Sequence, residues 1–546
     1  MSKLIIYQLF PRLFANFNTT RKMNGTKEEN GCGKFGDINA RALQSIVDRG
    51  ATQVWYTGVI RHATAEYNNP AITKGKAGSP YAITDYYDVN PDLAKVESKR
   101  MAEFEDLVKR THEAGLGVIL DFVPNHVARE YKSVCKPKGV KDLGEGDNPD
   151  WAFSPLNNFY YLPGERFTMD KDLQGYEEMP AKVTGNDCFT SHPGENDWYE
   201  TVKLNYGVFY QGGREKQFNP IPSTWVKMRD ILLFWADKGI DGVRVDMAEM
   251  VPVEFFAWAI EQVKKKHKKF LFIGECYDPK LYDAYLAAGF DYLYDKVGMY
   301  DYLRGVTSRG WAAEGITYQW MQHGDERLKH MLYFLENHDE QRIASGFWCG
   351  DGRCAEPAMI IAATLHQGPV LIYSGQELGE RGMDLEGFSG INGRTTIFDY
   401  WGVKSLQAWA NKGKYDGAGL DEAQRELREF YQRLLTAARD SKAIQKGQIY
   451  DITYAQGEGF NKQQQFAFLR HTKGETILVV VNFHDREQQM KVRIPNDAFV
   501  YLGLEEKAKA TATDLLRGAK QTIALQPDGV IELTLDAWRG VVLKIK

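Results

Sequence analysis

Cysteine is scarce in this chain of 546 residues: Cys32, Cys135, Cys188, Cys276, Cys349 and Cys354 are all there is, and none shows metal-ligand spacing. So sparse a set supplies no disulfide framework, and the six are read as free thiols; Cys349 and Cys354 are the only two close in sequence, and a loop disulfide between them is the other reading. Long hydrophobic runs are missing as well. No apolar stretch approaches the ~20 residues of a membrane-spanning helix, and the opening Lys3-Leu-Ile-Ile-Tyr-Gln-Leu-Phe-Pro11 is too short and turns polar too soon for a secretory leader. A cytoplasmic protein with no membrane partner is the expectation. Nor is there an excess of positive charge: 68 Lys and Arg stand against 73 Asp and Glu, a net −5 that offers nothing to a phosphate backbone and argues against a nucleic-acid partner. What is present is ordinary for a folded chain, 43% hydrophobic and 26% charged. Aromatics form the one surplus, at 13% with 29 Tyr and 12 Trp, and such flat amphipathic rings suit sugar faces as well as packing.

From Leu4 to about residue 440, short apolar runs alternate with segments of helical period, the pattern of repeated βα units on a parallel sheet. The runs predict strands over Leu4–Leu9, Gln53–Tyr56, Gly117–Phe122, Gly242–Asp246, Phe270–Glu275, Asp291–Tyr294, Met331–Glu336 and Pro369–Tyr373. Helices are predicted over Ala42–Arg49, Arg100–Ala114, Trp225–Lys238, Val253–Lys266, Pro279–Ala288, Glu356–His366 and Glu422–Ala438. Residues 127–222 break the rhythm with Asn, Asp, Gly, Pro and Tyr, and read as an inserted irregular subdomain. Beyond residue 445 strands alternate with no helix between them, which predicts an antiparallel β domain. The division is therefore 1–126 and 223–444 for an α/β barrel, 127–222 for the insertion and 445–546 for a C-terminal β-sandwich.

Chemistry on a parallel barrel sits where strands run into loops. Four apolar strands end in acids: Asp121 in Asp121-Phe-Val-Pro-Asn125-His126, Asp246 in Gly242-Val-Arg-Val-Asp246, Glu275 in Leu271-Phe-Ile-Gly-Glu275, and Asp339 in Glu336-Asn-His-Asp339. Arg244 and Asp246 lie two apart on one strand and so share a face, where the guanidinium can hold the carboxylate ionised, as a nucleophile requires. Glu275 supplies a second carboxyl, and two carboxyls across a cleft are the minimum for glycoside cleavage. Any one of these acids, or His126 or His338 alone, reads as a helix cap or a satisfied loop residue. Four together in chain order do not.

With these residues in view, the chain resembles the α-amylase superfamily, glycoside hydrolase family 13. The resemblance rests on those four segments and on Tyr7-Gln-Leu-Phe-Pro-Arg12, Gly50-Ala-Thr-Gln-Val-Trp-Tyr-Thr57, Tyr81-Ala-Ile-Thr-Asp-Tyr-Tyr87 and Leu371-Ile-Tyr-Ser-Gly-Gln-Glu377. It implies a (β/α)8 barrel with an insertion after the third strand, and a retaining hydrolase of α-1,4-glucosidic bonds in maltooligosaccharides, starch or glycogen. Asp246 would be the nucleophile, Glu275 the general acid/base and Asp339 the carboxylate that stabilises the transition state. Arg244 would hold Asp246, Asp121 would brace the site, Tyr81 would stack on the sugar, and His126 and His338 would hydrogen-bond to it. Two departures stand out. Glu249 and Met250 occupy the places where relatives carry Lys and His, which makes Glu249 a candidate acceptor-side contact, and the insertion carries Val202-Lys-Leu-Asn205 in place of the family's usual segment. Asn125 matches a calcium ligand of many members, with Asp170, Asp187 and Asp197 unranked as partners; the other reading is an Asn that only braces its loop. A transglycosylase (a glucanotransferase or maltosyltransferase) and an inactive carbohydrate-binding protein on the same fold are the rival readings.

Overall fold

The computed structural model describes residues 3–387 and 390–546. Eight parallel strands close into a barrel: β1 (Ile5–Leu9), β2 (Gln53–Tyr56), β3 (Gly117–Phe122), β4 (Gly242–Val245), β5 (Leu271–Gly274), β6 (Tyr292–Tyr294), β7 (Met331–Phe334) and β8 (Val370–Tyr373). Each strand pairs with its successor in sequence, and β8 returns to β1 with Ile5 opposite Val370. All eight predicted strands are present. Three end before their acids, because Asp246, Glu275 and Glu336 have already left the ladder. The chemistry-bearing side chains thus stand on the first loop residues above the barrel's C-terminal rim.

The helices follow from their apolar stripes. Val253–Lys266 buries Phe255, Phe256, Ala259, Ile260 and Val263, one face at i, i+1, i+4, i+5 and i+8, and closes on three lysines that suit the negative end of the helix dipole. Glu422–Asp440 starts on an Asp421 capping box with Gln424. Glu356–Thr364 is buried all round, packed between the barrel and the C-terminal strands.

Between β3 and β4 the insertion is more ordered than its composition suggests. His126–Ala128 pairs with Thr201–Lys203, and Tyr161–Leu162 with Ala181–Lys182. A separate apolar cluster holds it, including Ile72, Tyr160, Leu162, Phe167 and Val183. Beside it, the 78–81 turn depends on Gly78, whose φ is +70°; a Cβ there would lie 1.6 Å from the Ala63 carbonyl oxygen, so only glycine lets the chain turn back and present Tyr81 to the rim.

The C-terminal region forms a six-stranded antiparallel sheet and a second two-stranded ladder, Gln488–Ile494 with Gly529–Leu535. Two expectations are corrected. A helix, Asn496–Leu502, does intervene between these strands: Ala498, Phe499 and Leu502 give a one-turn apolar face too short to register as helical period, and Gly503 ends it in the left-handed conformation. Cys349 and Cys354 are not free thiols but a disulfide, brought within reach when the segment after β7 folds back on itself; Cys32, Cys135, Cys188 and Cys276 remain thiols. Among the described residues no helix is long and apolar enough to cross a membrane.

The sheet is fastened to the barrel by buried charge. Arg470 donates to the carbonyls of Leu365 (2.8 Å), Gly447 (2.7 Å), Ile444 (3.0 Å) and Ala443 (3.2 Å), with burial pulling its pKa down to about 9. Glu356, at the start of the fully buried helix, takes Arg539 and Arg517 from the C-terminal side.

Candidate active site

Arg244 is the pivot of the rim. Projecting inward from β4, with only 1% of its surface exposed, its Nη1 lies 2.6 Å from Asp246 Oδ1 and 3.6 Å from Asp121 Oδ1, and its Nη2 lies 2.8 Å from Glu275 Oε1. One planar guanidinium therefore carries three carboxyls from the ends of β3, β4 and β5, a geometry that lysine's point charge cannot reproduce. The backbone fixes the same corner: Asp246 N donates to the Phe122 carbonyl and Glu275 N to that of Val245. Met247 follows in the left-handed region at φ 43°, and this turn aims its N–H at Glu275 Oε2, 2.8 Å away. On its other oxygen Glu275 accepts from the Tyr277 hydroxyl at 2.7 Å.

Across the cleft, Asn337 Oδ1 accepts from the N–H groups of Asp339 (2.9 Å) and Glu340 (3.0 Å), a side-chain turn that points Asp339 back over the barrel. His338 Nε2 lies 3.0 Å from Asp339 Oδ2 and 2.5 Å from the Tyr81 hydroxyl, and its Nδ1 lies 2.8 Å from the Gln8 amide. The Tyr81 and His338 rings stack at 5.2 Å. His126 packs on Trp198 at 5.3 Å and hydrogen-bonds through Nδ1 to Asn125 at 3.0 Å.

These groups surround a cleft of about 360 Å³ lined by Tyr81, His126, Asp246, Glu275 and Asp339 among others. Arg244, Asp121 and His338 lie beneath its floor. Burial pushes Asp246 well above the usual carboxylate range; Arg244 pulls it back and Glu275 pushes it up again. Asp339 goes the other way, because His338, Arg244 and Arg394 outweigh its burial. Burial, with Lys203 and Lys74 nearby, takes His126 down to about 3, so its ring is neutral at ordinary pH.

Asp121 yields a stability prediction. Burial raises it to about 6 against the pull of Arg244, His338 and the Trp55 indole N–H. Between the ordinary value of 3.8 and 6 the folded chain therefore holds a proton that the unfolded chain has released, so this group's contribution to stability falls as pH rises through that window, by about 3 kcal/mol in all. Asp121→Asn keeps an acceptor for Trp55 and removes the titration. Thermal unfolding at pH 4 and pH 7 should show the variant losing less stability than the parent on going up; equal losses would refute the assignment.

The structure brings Tyr81, Asp121, His126, Arg244, Asp246, Glu275, His338 and Asp339 together. Glu249 it does not. The Ala248–Met250 turn swings this carboxylate away from the cleft, where Oε2 accepts from Tyr277 N (2.9 Å) and Asp278 N (3.0 Å); its expected sugar contact gives way to bracing the loop after Glu275. Sequence reading missed Lys74, Trp198, Met247, Tyr277 and Phe398, all of which line the cleft. Tyr277 alone carried a signal, standing two residues after Glu275 and so on the same side of an extended chain.

The Asn125 site does not fit a divalent cation. Asn125 Oδ1 accepts from Lys203 Nζ at 2.5 Å, and the same ammonium pairs with Asp187 at 2.6 Å. A hard cation needs six to eight oxygens; here the oxygens face a positive charge of the chain's own.

Residues 8–432 match the family model for the alpha amylase catalytic domain, and residues 460–546 that for the alpha amylase C-terminal all-beta domain. Neopullulanase 2 of Thermoactinomyces vulgaris is 21% identical over 99% of this chain and 77% of its own length. An alpha-1,4-glucan:maltose-1-phosphate maltosyltransferase of Cereibacter sphaeroides is 26% identical over 90% of this chain and 61% of its own. The crystal structure of an alpha-amylase from Geobacillus thermoleovorans, complexed with acarbose, shares the fold at a TM-score of 0.66 and 19% identity, over 100% of this chain and 98% of that one.

Proposed function

This chain belongs to the alpha-amylase family of glycoside hydrolases, and we propose that within it the protein is a retaining hydrolase of α-1,4-glucosidic bonds in maltooligosaccharides and related α-glucans. The observation that carries the reading is Arg244 holding Asp246 and Glu275 side by side at the cleft floor, with Asp339 across from them. Carboxyls so closely paired suit the short-spacing class, about 5–5.5 Å apart, that works through a covalent intermediate.

In this reading Arg244 occupies Oδ1 of Asp246 and leaves Oδ2 to attack the anomeric carbon. Glu275 gives its proton to the departing glycosidic oxygen, and the glycosyl ester on Asp246 is then cleaved by a water that Glu275 deprotonates. Of Glu275's three partners, the Met247 N–H and the guanidinium can only donate; the Tyr277 hydroxyl can turn from donor to acceptor, so it is the neighbour that accommodates a proton on Glu275. Asp339, held ionised by its cationic neighbours, faces the positive charge that develops on the sugar. Trp198 and Phe398 supply apolar wall for the ring faces.

Transfer to a second glucan shares the first half of this reaction, and the maltosyltransferase relative is the observation that favours it as the alternative. One experiment addresses both. Proton NMR of a maltooligosaccharide digest should show the α anomer first, and mass spectrometry should show only products shorter than the substrate. Initial β anomer would overturn retention; products longer than the substrate would replace hydrolysis with transfer.

A further inference from the structure

The ammonium of Lys203 lies at the junction of three parts of the chain. Its Nζ meets three oxygens: it donates to Asn125 Oδ1 (2.5 Å), on the loop after β3, and to the Met250 carbonyl (3.2 Å), on the turn after β4, and it pairs by charge with Asp187 Oδ1 (2.6 Å), in the insertion. The side chain is only 2% exposed, so the charge is out of water and depends on these partners. Register explains how it gets there: Lys203 stands directly opposite His126 in the pairing of Thr201–Lys203 with His126–Ala128, one residue from Asn125. Asn125 completes the link, because its amide nitrogen donates to the Gly185 carbonyl (2.8 Å) and hydrogen-bonds His126 Nδ1 (3.0 Å). Asp187 sits at φ 62°, in the left-handed region where Asp is tolerated, and this turn directs its carboxylate inward.

We propose that the Lys203 ammonium is a built-in replacement for a divalent cation: it ties the insertion to the loops that present His126 and the residues after Asp246, and the chain needs no calcium at Asn125. Charge and donor count both argue for it. An ammonium with three N–H groups is satisfied by three oxygens, whereas calcium needs at least twice that number and would be repelled by a fixed positive charge within contact distance. Among the described residues the one other acidic group close enough to hold a metal is Asp85, Asp88 and Cys135, and there Asp88 is already gripped by Arg61 (3.0 Å) and Arg100 (2.8 Å).

Thermal unfolding tests this independently of the enzyme's substrate. The wild-type midpoint should be the same in excess EDTA and in millimolar calcium chloride. Lys203→Ala removes the cation and opens the space, so its midpoint in EDTA should fall by at least about 3 °C, which at about 2.1 cal/mol/K per residue corresponds to roughly 3 kcal/mol for the catalytic part of the chain, and millimolar calcium should restore part of that loss. The proposal is overturned if the wild type loses stability in EDTA and regains it with calcium, or if Lys203→Ala in EDTA unfolds at the wild-type temperature. Should Lys203→Ala not fold at all, the wild-type comparison decides alone.

Discussion

Asp246→Asn is expected to reduce kcat/KM on maltooligosaccharides by on the order of 10⁵, while the protein folds as before. The amide has the size of the carboxylate and can still accept from Arg244 at Oδ1, but it cannot form a glycosyl ester. At about 1.36 kcal/mol per decade, the loss corresponds to roughly 7 kcal/mol of transition-state stabilisation. Stability should not fall with activity. The amide keeps the carboxylate's size and its Oδ1 acceptor for Arg244, and Arg244 keeps Glu275 as a partner. Steady-state kinetics and thermal unfolding on the same preparation check both halves; a variant that keeps a few per cent of turnover would remove Asp246 from the nucleophile's role.

Arg244→Met should be the most damaging single change to stability at the rim. It leaves Asp121, Asp246 and Glu275 without their common cation, and breaking a buried pair in this way costs about 3–5 kcal/mol. Its pH dependence has a definite sign. Without the guanidinium Asp121 and Asp246, already raised by burial, titrate higher still, so the folded chain binds protons that the unfolded chain does not, and the deficit grows as pH rises above the ordinary carboxylate range and shrinks as pH falls toward it. Unfolding midpoints for parent and variant from pH 4 to pH 8 should diverge toward the alkaline end. A deficit that does not change with pH would mean that Arg244 acts by filling space among Trp55, Tyr81 and Tyr294, whose rings lie 5.3–5.6 Å from it.

What could be read without coordinates follows a physical divide. A strand buried on both faces must be a continuous apolar run, and a polar residue at its end marks the rim; that is why β4, β5 and β7 and the acids beyond them were legible from Gly242–Asp246, Phe270–Glu275 and Met331–Glu336. Residues whose place depends on how a loop returns were not. Lys74, Trp198 and Phe398 reach the cleft from three distant segments, and nothing local in the chain says so. Glu249 shows the opposite error: its position after the nucleophile suggested the sugar, whereas a carboxylate on a tight turn beside two free backbone N–H groups binds those first. Lys203 was visible only as a departure from the family's pattern, and its partner Asp187 only as one of three acids that could not be told apart.

The helix Glu356–Thr364, apolar on every side, bears on how the chain is made. Its outer face is covered by strands near the end of the sequence, with Ile360 against Gly540 and the sheet beyond it, and the Arg470 and Glu356 ties close over the same seam. The last barrel strand ends at Tyr373, but the covering strand ends at Ile545. At roughly 5–20 residues per second of synthesis, some 10–30 s separate the last barrel strand from the strand that covers this helix. The C-terminal sheet is therefore the closing step of the barrel's own folding, and the nascent chain carries a sticky face through the whole of that interval.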